Sequence, residues 1–173
     1  FSFYITNITN RNPFNRNSYL LNNPLFKNRI QYIKFARDYK YQYRKVTNSF
    51  VISTFERPEC FIKVFQKIIT YRPPQTEIVI CDDASQSQEK KRLLTEIADN
   101  YSMQEVYVIS HTENFGSFHT KLDGFLFSVG DFIMSIDDDD DFNQNYYIEL
   151  ATQINKFNPL ENRYDFENDD ELD

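Results

Sequence analysis

A chain of 173 residues, 40% hydrophobic and 26% charged, has enough apolar material for one globular core and too little length for two ordinary domains. Only two cysteines occur, Cys60 and Cys81, without a CxxC pair, which excludes a structural zinc site or a disulfide framework; both lie in apolar runs and are expected in the core. No apolar run approaches the roughly 20 residues of a membrane span and no signal peptide is visible, so the chain is expected in the cytoplasm or on the face of a membrane.

The net charge of −7 is unevenly spread. Between Phe1 and Asn48 stand Arg11, Arg16, Lys27, Arg29, Lys34, Arg37, Lys40, Arg44 and Lys45 against Asp38 alone, and the chain after Asn48 is acidic. Such an arm most simply offsets repulsion as a solvated extension, with an anionic membrane surface as the other reading; no nucleic-acid partner is expected. Phe1 to Asn23 is Asn-rich without a sustained period and predicts a loop or disordered arm. From Leu25 to Val46, Phe26, Ile30, Ile33 and Ala36 recur near helical spacing and predict a basic amphipathic helix. Residues 1–48 are therefore set apart from a domain over 49–158 and an acidic tail over 159–173.

After Asn48 the pattern becomes regular. Phe50 to Phe55 reads as a buried strand closed by Glu56-Arg57-Pro58. Phe61, Val64, Phe65, Ile68 and Ile69 then fall at helical spacing until Arg72-Pro73-Pro74 stops them. The alternation repeats: Glu77–Cys81 predicts a strand, Ser87–Asp99 a helix buried through Leu93, Leu94, Ile97 and Ala98, and Glu105–Ile109 a strand. Phe118–Val129 predicts a helix with Leu122, Phe125 and Leu126 inward, Asp131–Ile136 a strand, and Tyr146–Phe157 a helix. This alternation predicts an α/β fold, a mainly parallel Rossmann-like sheet with helices on both faces. Ligands in such sheets sit at the carboxyl ends of the strands, near the switch in strand order.

The polar residues just past each strand are Ser53-Thr54-Phe55-Glu56, Asp82-Asp83, Asn114 to Gly116 and Asp137 to Asp141. Carboxylates gathered at buried strand ends repel one another unless a cation joins them, and oxygen ligands select a hard ion such as Mg2+ or Mn2+. Asp137–Asp141 ends a strand, unlike the solvated acidic run Asp165–Asp173. An EF-hand frame from Asp138 fails, because Phe142 falls at position 5 and Asn143 at position 6. His111 is expected as a polar strand end and His119 on a helix surface.

Val51-Ile52-Ser53-Thr54-Phe55-Glu56-Arg57-Pro58-Glu59, Glu77 to Ser85 with Asp82-Asp83, Glu113-Asn114-Phe115-Gly116 with Lys121 and Gly124, and Gly130 to Asp140 occur in the order and spacing of four segments of the family 2 glycosyltransferases. Over about Phe50 to Phe157 the chain resembles the nucleotide-binding half of their GT-A fold. The resemblance implies that Ser53 and Phe55 contact the nucleobase and ribose, with Phe55 in place of the usual Tyr, and that Glu56, which stands where Asn is common, also belongs to the nucleotide-sugar-binding set. It implies that Asp83 accepts a hydrogen bond from the base imide N–H, which favours uracil. Asp137-Asp138-Asp139 occupies the Asp-x-Asp position, where Asp137 and Asp138 approach the ribose and Asp139, with Asp137, holds Mn2+ or Mg2+. That metal neutralises the departing diphosphate. Lys121 stands where many members have Arg and is placed to meet a phosphate, or else is an exposed helical lysine.

The implied partners are a nucleotide-diphosphate sugar, chiefly a UDP-sugar, and an acceptor of unknown class: glycan, lipid or protein. Inverting members take their catalytic base from a segment well downstream of Asp-x-Asp. No residue here matches it, so none is assigned as catalytic, and the chain is expected to stop before the acceptor subdomain. The alternatives are a non-catalytic nucleotide- and metal-binding remnant and a receiver-like signalling domain. The latter is disfavoured because the first strand ends in Thr54-Phe55-Glu56 and the third in His111-Thr112-Glu113. An acidic module whose carboxylates serve only solubility is the remaining non-enzymatic reading.

Overall fold

The computed structural model describes residues 2–5, 24–33, 46, 48–101 and 104–141, with isolated positions 143, 145, 149 and 153 beyond them. The chain divides into two units, Phe1–Asp141 and Phe142–Asp173. The first contains β1 (Ser2–Ile5), α1 (Pro24–Arg29), β2 (Ile30–Ile33), β3 (Asn48–Thr54), α2 (Pro58–Tyr71), β4 (Thr76–Asp82), α3 (Gln88–Asn100), β5 (Val106–His111), α4 (Ser117–Phe127) and β6 (Phe132–Asp137). The predicted helix Tyr146–Phe157 and the tail lie outside the described residues apart from those isolated positions.

Among the described residues six strands form one sheet in the order β1-β6-β3-β4-β5-β2. Its centre, β6-β3-β4-β5, is parallel, as β-branched runs alternating with amphipathic helices require. Strand β3 is the switch point: it pairs with β4 on one side and β6 on the other, so the chain leaves it in opposite directions. Parallel registers of Ser53 with Asp137 and of Thr54 with Asp82 bring the ends of β3, β4 and β6 level. The core is apolar at its centre, with Val51, Ile52, Ile78, Val79, Ile80 and Ile109 at or near zero exposure.

Four expectations change here. Ser2–Ile5, expected as unstructured arm, pairs antiparallel with β6. The helix expected over Leu25–Val46 is only six residues long, and Ile30–Ile33 turns into a strand antiparallel to β5; residues 34–45 lie outside the described residues. Both sheet edges recruit the basic arm because an unpaired edge leaves a row of amides without partners, a tertiary demand that local periodicity does not carry. The buried face of α4 also differs: Thr120, Asp123, Gly124 and Phe127 point inward, Leu126 is exposed, and Leu122 and Phe125 are only partly covered. A Cβ at Gly124 would stand 2.3 Å from Val51 Cγ1, so the helix seats its backbone directly on β3. Cys81 is buried as expected, but Cys60 is exposed on α2.

Candidate functional site

Beyond β3 the chain turns through two left-handed residues, Glu56 (φ 53°) and Arg57 (φ 41°), and beyond β4 through Ala84 (φ 61°). Non-glycine residues seldom hold this conformation unless their surroundings impose it. The Glu56 carboxylate accepts from the amides of Gln86 (2.6 Å) and Ser87 (3.1 Å) just before α3, and its own amide donates to Ser85 Oγ at 2.7 Å. Glu56, expected at the nucleotide, instead ties the first turn to the second and is absent from the pocket lining. Helix ends leave amides unsatisfied, and a carboxylate there meets that need.

The turns open onto a cavity of about 340 Å³ at the switch point, lined by Ser53, Thr54, Phe55, Arg57, Asp83, Asn114, Gly116, Ser117, Thr120 and Asp137–Asp139. Four β-strands thus deliver their carboxyl ends, or the loops just after them, to one concavity. Phe55 is exposed at its edge, as a ring that stacks on a planar ligand must be.

The three aspartates after β6 have distinct environments. Asp137 accepts from Ser53 Oγ (2.5 Å) and Lys121 Nζ (2.8 Å). Burial pushes its pKa up, but these two hydrogen bonds outweigh it and hold the carboxyl below the ordinary value. Lys121 therefore meets Asp137 and is not among the pocket-lining residues. Asp138 is buried; it accepts from Thr54 Oγ1 (2.6 Å), the Phe55 amide (3.3 Å) and Arg57 (2.6 Å), and so locks the turn. Asp139 is half exposed and pairs with Arg57 at 2.6 Å. Among the described residues no three His, Cys, Asp or Glu side chains converge as a metal cage. An exposed carboxylate beside an open pocket still suits a hard cation that takes one or two protein oxygens and completes its shell with water and phosphate.

Asp83 is buried and heavily used. Its Oδ1 accepts from His111 Nδ1 and the Phe115 amide, and its Oδ2 from the Gly116 amide, each at 2.8 Å. Of the roughly four acceptor directions of a carboxylate, about one is left, on Oδ2. Gly116, at φ 85°, is the N-cap of α4, so Asp83 caps that helix from the loop just after β4.

Three further residues matter that the motifs alone do not single out. Arg57 joins Asp138 to Asp139 on the pocket wall. Lys90 is wholly buried beneath it, with Nζ 2.5 Å from Thr54 Oγ1 and 3.7 Å from the Phe61 ring centroid. Burial lowers its pKa to about 8 against the pull of Asp138 and Asp82. Its signal in the sequence is its place in the apolar register of α3, four residues before Leu94 and seven before Ile97. His111, expected as a plain polar strand end, is fully buried between Asp83 and Asp123. His119, expected on a helix surface, is part-buried and its Nδ1 bonds the Phe115 carbonyl at 3.0 Å.

A parallel sheet with its switch at β3 and a carboxylate-lined pocket at that point defines an α/β domain of the GT-A kind. A receiver domain would order its strands 2-1-3-4-5, which this sheet does not. The model of glycosyl transferase family 2 matches residues 49–164, and the chain belongs to that family. In structure it is similar to S. aureus TarS 1-349, with a TM-score of 0.54 and 19% identity over 64% of this chain and 33% of that one. The same protein in complex with UDP-GlcNAc aligns at a TM-score of 0.55, with 19% identity over 64% of this chain and 32% of that chain. A mannosyltransferase from Pyrobaculum calidifontis, in complex with GDP-Man and Mn2+, aligns at 0.49 with 17% identity over 53% of this chain and 27% of its own, too distantly to bear on the site. No curated protein matches the chain by sequence. The chain thus spans about a third of the length of the TarS 1-349 structures. Among the described residues no helix is long and apolar enough to cross a membrane.

Proposed function

We propose that the chain binds the nucleotide-diphosphate sugar donor of a glycosyltransferase, with UDP as the nucleotide and a divalent ion, Mn2+ or Mg2+, at the diphosphate. The observation that carries this reading is the convergence of Ser53, Phe55, Asp83 and Asp137–Asp139 on one cavity at the switch point. Phe55 offers its ring to the base, and the remaining acceptor direction of Asp83 suits an imide N–H, which uracil has and cytosine lacks. The structural relative solved with UDP-GlcNAc supports this choice of donor class.

Asp139 would hold the metal, with Asp137 beside it. When bound, the ion supplies positive charge to the leaving diphosphate. Arg57 and Lys121 flank these carboxylates and keep the rim near neutrality until a ligand enters. Glu56 holds the turns from outside the cavity, and Asp138 both locks the first turn and lines the cavity wall. No residue is assigned to the acceptor or to the base that deprotonates it, and sugar transfer by the whole protein is part of the same proposal.

The test is calorimetric titration with UDP, with and without Mn2+. Binding that requires Mn2+, and that Asp139→Ala removes, supports the proposal; no binding under either condition overturns it. Nucleotide affinity unchanged by both Mn2+ and Asp139→Ala would leave a nucleotide-binding domain without a metal role.

A further inference from the structure

Below the pocket a row of alternating charge crosses the sheet end. Arg29 of α1 donates to Asp123 of α4 through Nε (2.9 Å) and through a terminal nitrogen (2.5 Å). Asp123 Oδ2 lies 3.1 Å from His111 Nε2, and His111 Nδ1 lies 2.8 Å from Asp83 Oδ1. Asp83 in turn receives the amides of Phe115 and Gly116, and Gly116 lines the donor pocket. Asp123 and His111 are essentially without solvent exposure.

The geometry sets the charge of the ring. Each imidazole nitrogen faces a carboxylate oxygen at hydrogen-bond distance, but a neutral imidazole has only one N–H to give. Its other nitrogen would point a lone pair at an oxyanion, a repulsion left unscreened by burial. Arg29 keeps Asp123 ionised from the far side: burial raises that carboxyl, but the hydrogen bonds from His111 and Arg29 outweigh it and hold it below the ordinary value.

We propose that His111 is a positioning residue of the donor pocket and works as an imidazolium. By bonding both Asp83 and Asp123 it holds Asp83 in the orientation that clasps the Phe115–Gly116 loop and leaves one Oδ2 direction for the ligand. The importance of that loop to a nucleotide rests on the donor-binding reading above; the charge state of His111 does not.

Other groups near the ring leave this unchanged. Cys81 Sγ lies 3.8 Å from Nε2, and burial pushes its thiol well up, so it stays neutral. Phe115 meets the ring edge-on at 5.4 Å between centroids. Asp82 and Lys91 share with His111 a second cavity of about 440 Å³. Burial lowers the His111 pKa and the bonds to Asp123 and Asp83 raise it, with a net rise above the ordinary histidine value. The ordered pocket is thus a property of the protonated ring and loosens as the pH rises through the raised folded value of His111. The arm takes part as well: Arg29 reaches Asp123, and the Arg29 carbonyl accepts the Thr112 amide (2.8 Å) just beyond His111.

The experiment uses the full chain labelled at histidine. Nitrogen-detected NMR at the ordinary histidine midpoint, about pH 6.5, should show His111 mainly with both nitrogens protonated; a ring mainly with one bare nitrogen at that pH overturns the proposal. Amide hydrogen exchange at Phe115 and Gly116 should quicken as His111 titrates, and this reads the proposal without any nucleotide. UDP affinity with Mn2+ should fall roughly tenfold above the His111 titration, and His111→Gln, if folded, should be weak at all pH values and lose that transition. A His111→Gln protein that keeps the wild-type pH profile also overturns the proposal. If the NMR and exchange results hold while the wild type binds no UDP, the donor reading fails and the positioning role stands.

Discussion

The Asp137–Asp139 cluster and the row from Arg29 to Asp83 both gather opposite charges at the same end of one sheet, but solvent reaches only Asp137 and Asp139 of the first. Asp139 and Arg57 are each about half exposed, whereas Asp123 and His111 are buried. Exposed pairs are worth little and are easily exchanged for another ion. A buried pair is costly to break, because removing one member strands the other without water. The rim is therefore where charges can be traded with a ligand and the row is where they cannot, which suits one to binding and the other to holding the shape of the pocket.

The comparison is tested most severely by Asp123→Ala, which takes from the buried His111 one of its two carboxylates and from Arg29 its Asp123 ion pair. It should lower the unfolding free energy by about 3–5 kcal/mol, read from urea denaturation; a loss no larger than that of a rim variant would erase the distinction. Gly124→Ala tests the seat that brings Asp123 inward. Its Cβ would collide with Val51, and a cost of about 1–3 kcal/mol is expected by the same measurement.

A third effect is pH-dependent. The folded pKa of His111 is raised, so its stabilisation is fully present below the unfolded value and is lost as pH climbs through the folded one. Unfolding free energy should decline across that window by up to about 1.4 kcal/mol per pH unit, and His111→Gln should flatten the decline. Least affected should be the thermal stability of Asp139→Asn, within about 0.5 kcal/mol of wild type, although Mn2+-dependent UDP binding is lost. A large drop in its melting temperature would place Asp139 with the structural charges instead.

Much of the site was legible because its residues follow predictable strands without a break. Ser53, Asp83 and Asp137–Asp139 come together because β3, β4 and β6 are parallel and end level. Glu56 was misplaced for a local reason: two consecutive left-handed residues aim its carboxylate at the start of α3, and such a turn leaves no mark in hydrophobic spacing. Leu126 fitted an inward stripe, but Asp123 and Gly124 took that face. An apolar pattern cannot foresee a buried carboxylate whose partners, Arg29 and His111, lie on two other elements.

Periodicity and turn chemistry along the chain were sufficient for the alternating α/β plan and for which strand ends carry carboxylates, because burial of β-branched runs and the bend at each loop are local matters. Packing across 94 residues of separation, as between Arg29 and Asp123, decided the rest. It turned part of a basic arm into an edge strand and set which carboxylates face solvent. It also gave a strand-end histidine its charge, since a group's protonation depends on the neighbours that folding brings to it and not on those beside it in the chain.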